Sequence, residues 1–330
     1  MSGKIITRRE FLKMMGASSL LMSLPMSAGC PLQQAVRVSL VKDSDDAYAI
    51  RRAIELAGDL DFLASGDSLL LKVALNFSDP FPATTSPLMV SELITLLKDR
   101  GAGDVFVGDR SPSWMDTMNC MEETGIYQAA LDAGAEVVVF EEEDMVHVEP
   151  ELAIHWPEGF SIPNLFNEVD HIISLPTLRA HRLAGFTMGV KNFVGAMPQD
   201  DRFFMHGPSL LAGENFMEMI AEIPLCTDKI HLSVLDAREG WSIVGLEEEY
   251  GTLITPGIVI ASKSLVGADA VGLALLKSVG TTSDLMETRV WDNPVIKRAV
   301  EVYCPNLSCE TMALQSEGVE NIDEIKKQLL

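Results

Sequence analysis

Ser68-Leu69-Leu70-Leu71-Lys72-Val73, then Ser86-Pro87-Leu88-Met89-Val90-Ser91-Glu92-Leu93-Ile94-Thr95-Leu96-Leu97, then Val105-Phe106-Val107 read in turn as strand, helix and strand. The first run has strand length. In the second, Ser86 is a helix cap, Pro87 fits the first helical position, and Glu92 lies in the early turns. Gly101-Ala102-Gly103 ends that helix before the next β-rich run. Working outward, Val36 to Val41 predicts a strand and Asp46 to Leu63 a helix, with Ala49, Ile50, Ile54 and Leu56 on its apolar face. On the other side, Met115 to Ala133 predicts a helix and Val137 to Phe140 a strand. Strands that alternate with helices in this way predict an α/β fold, a mostly parallel sheet flanked by helices.

Beyond Phe140 the pattern loosens. Glu141 to Asp144 is an acidic run, read as a solvated loop or a divalent-cation ligand set. Residues 145–168, with Pro150, Pro157 and Pro163, form a β excursion or linker and mark a lobe boundary, which would put a site between two lobes. Strand character returns at Asp170 to Leu175, Ile230 to Leu235 and Ile258 to Ala261. Helices are expected at Leu210 to Ile223 and Ala268 to Ser278, and a helical extension at 281–330.

Composition excludes several classes of function. Asp plus Glu number 48 against 25 Lys plus Arg, a formal charge of −23, and such a surface repels nucleic acid and anionic lipid. A chain that is 47% hydrophobic is not a disordered acidic tail. Cys30, Cys120, Cys226, Cys304 and Cys309 include no C-x-x-C pair, so no iron–sulfur cluster is expected. Cys304 and Cys309 are close enough to bridge or to remain thiols.

The N-terminus reads as an export signal. Thr7-Arg8-Arg9-Glu10-Phe11-Leu12-Lys13 matches the twin-arginine pattern, followed by an interrupted apolar stretch and then Ser27-Ala28-Gly29-Cys30. Residues 1–30 are therefore expected to engage the twin-arginine translocase and direct the chain to the periplasm or another extracytoplasmic space. Ser27 stands where a lipoprotein signal usually has Leu. Cys30 therefore stays open as a lipidated first residue, the one route to a membrane, or as an ordinary cysteine. Resemblance to this signal implies transport of a folded chain, often one already loaded with a cofactor.

Residues 176–207 concentrate Arg179, His181, Arg182, Lys191, Arg202 and His206 in an otherwise acidic chain, just after a predicted strand end. Open α/β sheets place ligands at such ends. Histidine suits proton transfer and metal ligation, and lysine suits covalent attachment or anion neutralisation. A basic loop lying on an acidic surface is the alternative. Thr84 and Thr85, ahead of the Ser86 helix, could hold an anion, or Ser86 could simply cap. Lys72 at a strand end could neutralise one. His155, His171 and His231 lie in or beside apolar runs and read as packed rather than functional.

Pro176-x-x-Arg179-x-His181, Thr187-x-x-x-Lys191-Asn192-x-x-Gly195 and His206 resemble the hallmark of the domain-of-unknown-function family 362. Leu71-Lys72, Pro82-Ala83-Thr84-Thr85-Ser86-Pro87, Asp236 and Ala268-Asp269-Ala270 extend the resemblance over roughly residues 36–280. Arg179 stands where the family usually has Lys, and Val73-Ala74 where it has Pro-Asn. The ferredoxin-like cysteine cluster of many relatives is absent.

A more distant resemblance, to the nickel-pincer lactate racemase family, rests on spacing. His181 to Lys191 is ten residues, Lys191 to His206 is fifteen, and Thr84-Thr85-Ser86-Pro87 takes the place of an earlier loop. That resemblance implies His181 as the acid–base group, Lys191 as the covalent attachment of a pincer cofactor and His206 as the metal ligand. The loop arginine is missing, and His147 is only a loose counterpart of a second catalytic histidine. Thr84, Thr85 and Asn192 join Lys191 as expected cofactor contacts, with Arg179 and Lys72 as substrate contacts. Two functions compete: a cofactor- or metal-dependent enzyme acting on a small anion such as a hydroxy acid, and a non-catalytic periplasmic protein that holds a ligand or metal.

Overall fold

The computed structural model describes residues 35–207, 212–243 and 251–330, and within them the predicted alternation is formed. Val36–Val41 is β1, Asp46–Ala57 α1, Leu69–Val73 β2, Pro87–Asp99 α2 and Val105–Asp109 β3. Ser86 caps α2 as expected, its Oγ accepting the Met89 N–H at 3.0 Å. Helix α1 stops six residues short of the predicted end. Gly58, at φ +116°, and Asp59, at φ +55°, turn left-handed, a conformation that ends helices. The helix expected over 115–133 is broken in the same way by Gly125, at φ +80°, into α3 (Thr117–Glu123) and α4 (Ile126–Asp132).

Strand β4 (Glu136–Val139) follows, and then β5 (Met145–Val148) and β6 (Phe160–Pro163), which pair antiparallel outside the main sheet. Next are β7 (His171–Leu175), β8 (Thr177–His181), β9 (Gly185–Thr187), α5 (Gly189–Asn192), α6 (Gln199–His206) and α7 (Phe216–Glu222). Of the helix expected from 210 to 223, residues 210 and 211 lie outside the described residues. Strand β10 runs the full length of Ile230–Trp241, twice the predicted run. The chain finishes with β11 (Leu253–Ile254), β12 (Ile258–Ser262), α8 (Leu265–Val279), α9 (Pro294–Tyr303), β13 (Met312–Glu317) and α10 (Ile322–Leu329).

The main sheet has the order β13-β1-β12-β10-β7-β2-β3-β4, with β8 and β11 attached to β10 and β9 to β8. It is mostly parallel, and β12 is antiparallel to both β1 and β10. Both faces are covered. Leu69, Leu71 and Val73 of β2 pack into one apolar cluster and Leu70 into the other. Continuous apolar strands are the mark of a sheet buried on both sides. Residues 281–330 are more than helical: β13 pairs with β1 in parallel, from Val36↔Met312 to Val41↔Glu317. This edge strand is half-exposed and its apolar run, Met312-Ala313-Leu314, is only three residues long, too short to mark a strand. Cys120, Cys226, Cys304 and Cys309 are free thiols.

From β2 the chain proceeds to β3 and β4 on one side, and from β7 to β10 and β12 on the other. The gap between the carboxyl ends of β2 and β7 is therefore the point where connections diverge, and open α/β sheets leave a crevice there.

Candidate active site

At that crevice Lys72, the penultimate residue of β2, is fully buried. Its ammonium lies 2.7 Å from Asp109 Oδ1 at the end of β3 and donates to the Val73 carbonyl at 2.9 Å. Asp109 Oδ2 accepts the Leu75 N–H at 2.7 Å and Oδ1 the Arg110 N–H at 2.6 Å. Burial pulls the lysine down and pushes the carboxyl up, while their mutual attraction opposes both shifts. Gly195 closes over the pair. A β-carbon there would overlap Asp109 Oδ1 and come within 2.7 Å of Lys72 Nζ, which explains the glycine in the Lys191-to-Gly195 motif.

The two strand ends are clasped together from both sides. Asn192 Nδ2 donates to the Lys72 carbonyl at 2.9 Å and to Ser174 Oγ at 3.1 Å. Thr85 Oγ1 donates to the Leu175 carbonyl and accepts the Ala74 N–H at 2.8 Å. Thr84 Oγ1 donates to the Asp79 carbonyl at 2.9 Å. The two threonines expected to hold an anion thus spend their hydroxyls on the backbone, and they do not line the cavity.

Lys191 is carried by α5, a single turn held by Asp269 of α8. That buried carboxylate accepts the N–H groups of Gly189 and Val190 at 2.7 and 2.9 Å. Burial pushes Asp269 up to about 7, against the pull of those two bonds. Lys191 itself makes no hydrogen bond or ion pair among the described residues. Burial first, then the charges of Arg179 and Arg202, brings its amine down to about 7. Arg202 of α6 is fixed by three carbonyls, those of Met197, Ser111 and Arg110, at 2.9–3.2 Å, and burial lowers it to about 10. Arg179 of β8 reaches the Ala83 carbonyl at 3.3 Å, which ties it to the loop carrying Thr84 and Thr85.

These groups surround a cavity of about 40 Å³ whose walls include Arg179, Lys191, Arg202, Asn192, Thr177 and Asp109. At roughly 10–15 Å³ per water it holds a few waters or one small ion. Three cations face a single carboxylate that Lys72 already neutralises, so the field inside is positive.

His181 stands beside this wall. Its Nδ1 accepts the N–H groups of Leu183 and Ala184, both at 3.1 Å, so the ring's hydrogen belongs on Nε2. Burial, then the nearby charges of Lys191, Arg179, His206 and Arg182, holds it well below the usual histidine range. It is a neutral ring with one donor N–H. His206, at the end of α6, packs against the Phe216 ring, with centroids 4.9 Å apart, and is not part of the cavity wall.

Of the residues expected from sequence, Arg179, Lys191 and Asn192 meet in the cavity wall, His181 adjoins it, and Lys72 lies beneath it. Asp109 and the structural work of Asp269 escaped the sequence reading. A lone acid closing the apolar run Val105–Asp109 was the available signal for Asp109. Cys30 lies outside the described residues.

Comparison with known proteins places the chain. The family described as Domain of unknown function (DUF362) matches residues 69–274. A crystal structure of a Thermotoga maritima protein aligns at 13% identity and a TM-score of 0.41, over 68% of this chain and 56% of that one. The lactate racemase apoprotein of Thermoanaerobacterium thermosaccharolyticum aligns at 15% identity and a TM-score of 0.40, over 78% and 60%. The chain thus spans less than two thirds of either structure. No curated protein matches it. With more than half of its length matched, the chain belongs to the DUF362 family.

Proposed function

We propose that this chain is an exported protein that binds a small carboxylate- or phosphate-bearing anion at the divergence of its sheet and acts on it through the Lys191 amine. The observation that carries this reading is the state of that amine. It has no partner among the described residues, it is lowered to about 7, and it shares the cavity wall with Arg179 and Arg202. At neutral pH about half of such amines are unprotonated, and a neutral amine is a base or a nucleophile. Arg179 and Arg202 would hold the anion. Lys191 would take a proton from the carbon or hydroxyl beside the oxygens so held, with His181 a neutral neighbour outside the wall. A hydroxy acid offers both groups.

A metal–pincer group fits this cavity poorly. About 40 Å³ takes one small anion and leaves no room beside it for a larger group. His206, the expected metal ligand, packs on Phe216 outside the wall.

The second reading, a non-catalytic periplasmic binding protein, is favoured by rigidity. Arg202 and the Lys72–Asp109 pair are immobilised before any ligand arrives. Export rests on Thr7 to Lys13 and the residues that follow, and Cys30 is either a lipidated first residue or an ordinary cysteine. Calorimetry against a panel of small hydroxy acids, oxo acids and phosphate, paired with product analysis, tests the proposal. We expect the wild type to bind and turn over one of these anions, and Lys191→Ala to lose the turnover. Binding that merely weakens in Lys191→Ala, with no turnover by either protein, makes this a binding protein, and no binding by any anion overturns both readings.

A further inference from the structure

At the opposite end of the sheet His171 opens β7 and His231 is the second residue of β10. The register of these parallel strands slips between Ile230↔Ile172 and Leu232↔Ile173, so His231 is the extra residue of a bulge. Bulges re-aim side chains, and this one turns the His231 ring onto its neighbour. The two Nδ1 atoms lie 3.0 Å apart. His171 Nε2 is 2.8 Å from Asp67 Oδ2, an oxygen that also accepts the Ala64 N–H at 2.7 Å. Phe62 stacks on His231, with centroids 5.2 Å apart, and meets His171 edge-on at 5.0 Å.

A carboxylate only accepts, so the hydrogen of neutral His171 is on Nε2 and its Nδ1 presents a lone pair towards the second ring. Two imidazole nitrogens bound to one tetrahedral ion at about 2.0–2.1 Å lie about 3.3–3.4 Å apart. The observed spacing needs to open by only a few tenths of an ångström. A carboxylate on the remote nitrogen is the usual outer partner of a metal-bound histidine, because it fixes tautomer and ring orientation.

We propose that His171 and His231, oriented by Asp67, form a two-histidine chelate for a divalent transition-metal ion of the Zn²⁺, Cu²⁺ or Ni²⁺ class, with water filling the remaining positions. Imidazole nitrogens suit these ions and not Mg²⁺ or Ca²⁺. The ion would tie β7, β10 and the segment carrying Asp67 together. His171 is the first residue of β7 and Leu175, next to Pro176 of the pocket wall, is the last, so this site is separate from the one around Lys191.

The test is calorimetric titration of the metal-stripped full-length protein with Zn²⁺, and electron paramagnetic resonance with Cu²⁺. We expect one site that weakens at least tenfold in His171→Gln and in His231→Gln. It should weaken about 10- to 100-fold in Asp67→Asn, the range typical of lost outer-shell partners, and persist in His206→Gln. Unchanged binding in both histidine variants, or none by the wild type at micromolar Zn²⁺, would overturn the proposal and leave an N–H···N hydrogen bond. Should a variant fail to fold, the wild-type Cu²⁺ spectrum decides: two coordinated imidazole nitrogens support the site, and none overturns it.

Discussion

Below pH 7 the Lys191 ammonium adds its charge to those of Arg179 and Arg202, and above it the amine is neutral and the pocket holds one cation fewer. A ligand that needs the ammonium binds best on the acid side. Its affinity should fall as pH rises through 7, by up to about tenfold per unit once the amine has titrated. Lys191→Met should bind more weakly and lose most of that dependence, while Arg179 and Arg202 keep a pH-independent remainder. Isothermal titration of an anion between pH 5.5 and 9 checks this, and parallel profiles for the two proteins would refute it. The lysine's identity was legible from the basic cluster around it. Its altered chemistry was not, because burial in the folded chain and then the charges of Arg179 and Arg202, on two other elements, are what lower it.

At the scale of elements, the pocket depends on strand ends held at fixed separation. Asn192 and Thr85 clasp β2 to β7, Lys72 joins β2 to β3, and Gly195 lets the turn after α5 descend onto that ion pair. Gly195→Ala should therefore act on both stability and binding. Overpacking of this kind costs about 1–3 kcal/mol, readable as a lower urea midpoint, and displacement of the turn should weaken anion binding as well. A wild-type midpoint with wild-type affinity would show that the turn moves freely. The sequence announced β2, α2 and β3 through apolar runs and a Ser-Pro cap, which are local signals. It could not announce that Lys72 faces Asp109, since residues 37 apart meet only through strand register. For the same reason Thr84 and Thr85 read as free hydroxyls when they are backbone partners.

For the whole molecule, the charge of −23 makes the cationic cavity an exception that attracts anions against the prevailing field. The N-terminal segment makes a separate prediction. With Arg8→Lys and Arg9→Lys together, cell fractionation should find the chain retained in the cytoplasm, whereas normal export would reject the twin-arginine reading. By itself the sequence determined the α/β class, the core strands and several helix limits, because apolar periodicity and capping are local properties. It also marked the basic 176–207 segment, because composition needs no contacts. Only the tertiary structure decided that β13 joins the sheet edge, that Asp269 holds the turn bearing Lys191, and that His171 meets His231 across a bulge. Each of these is a long-range pairing, fixed when strands choose neighbours and burial changes what a side chain can do.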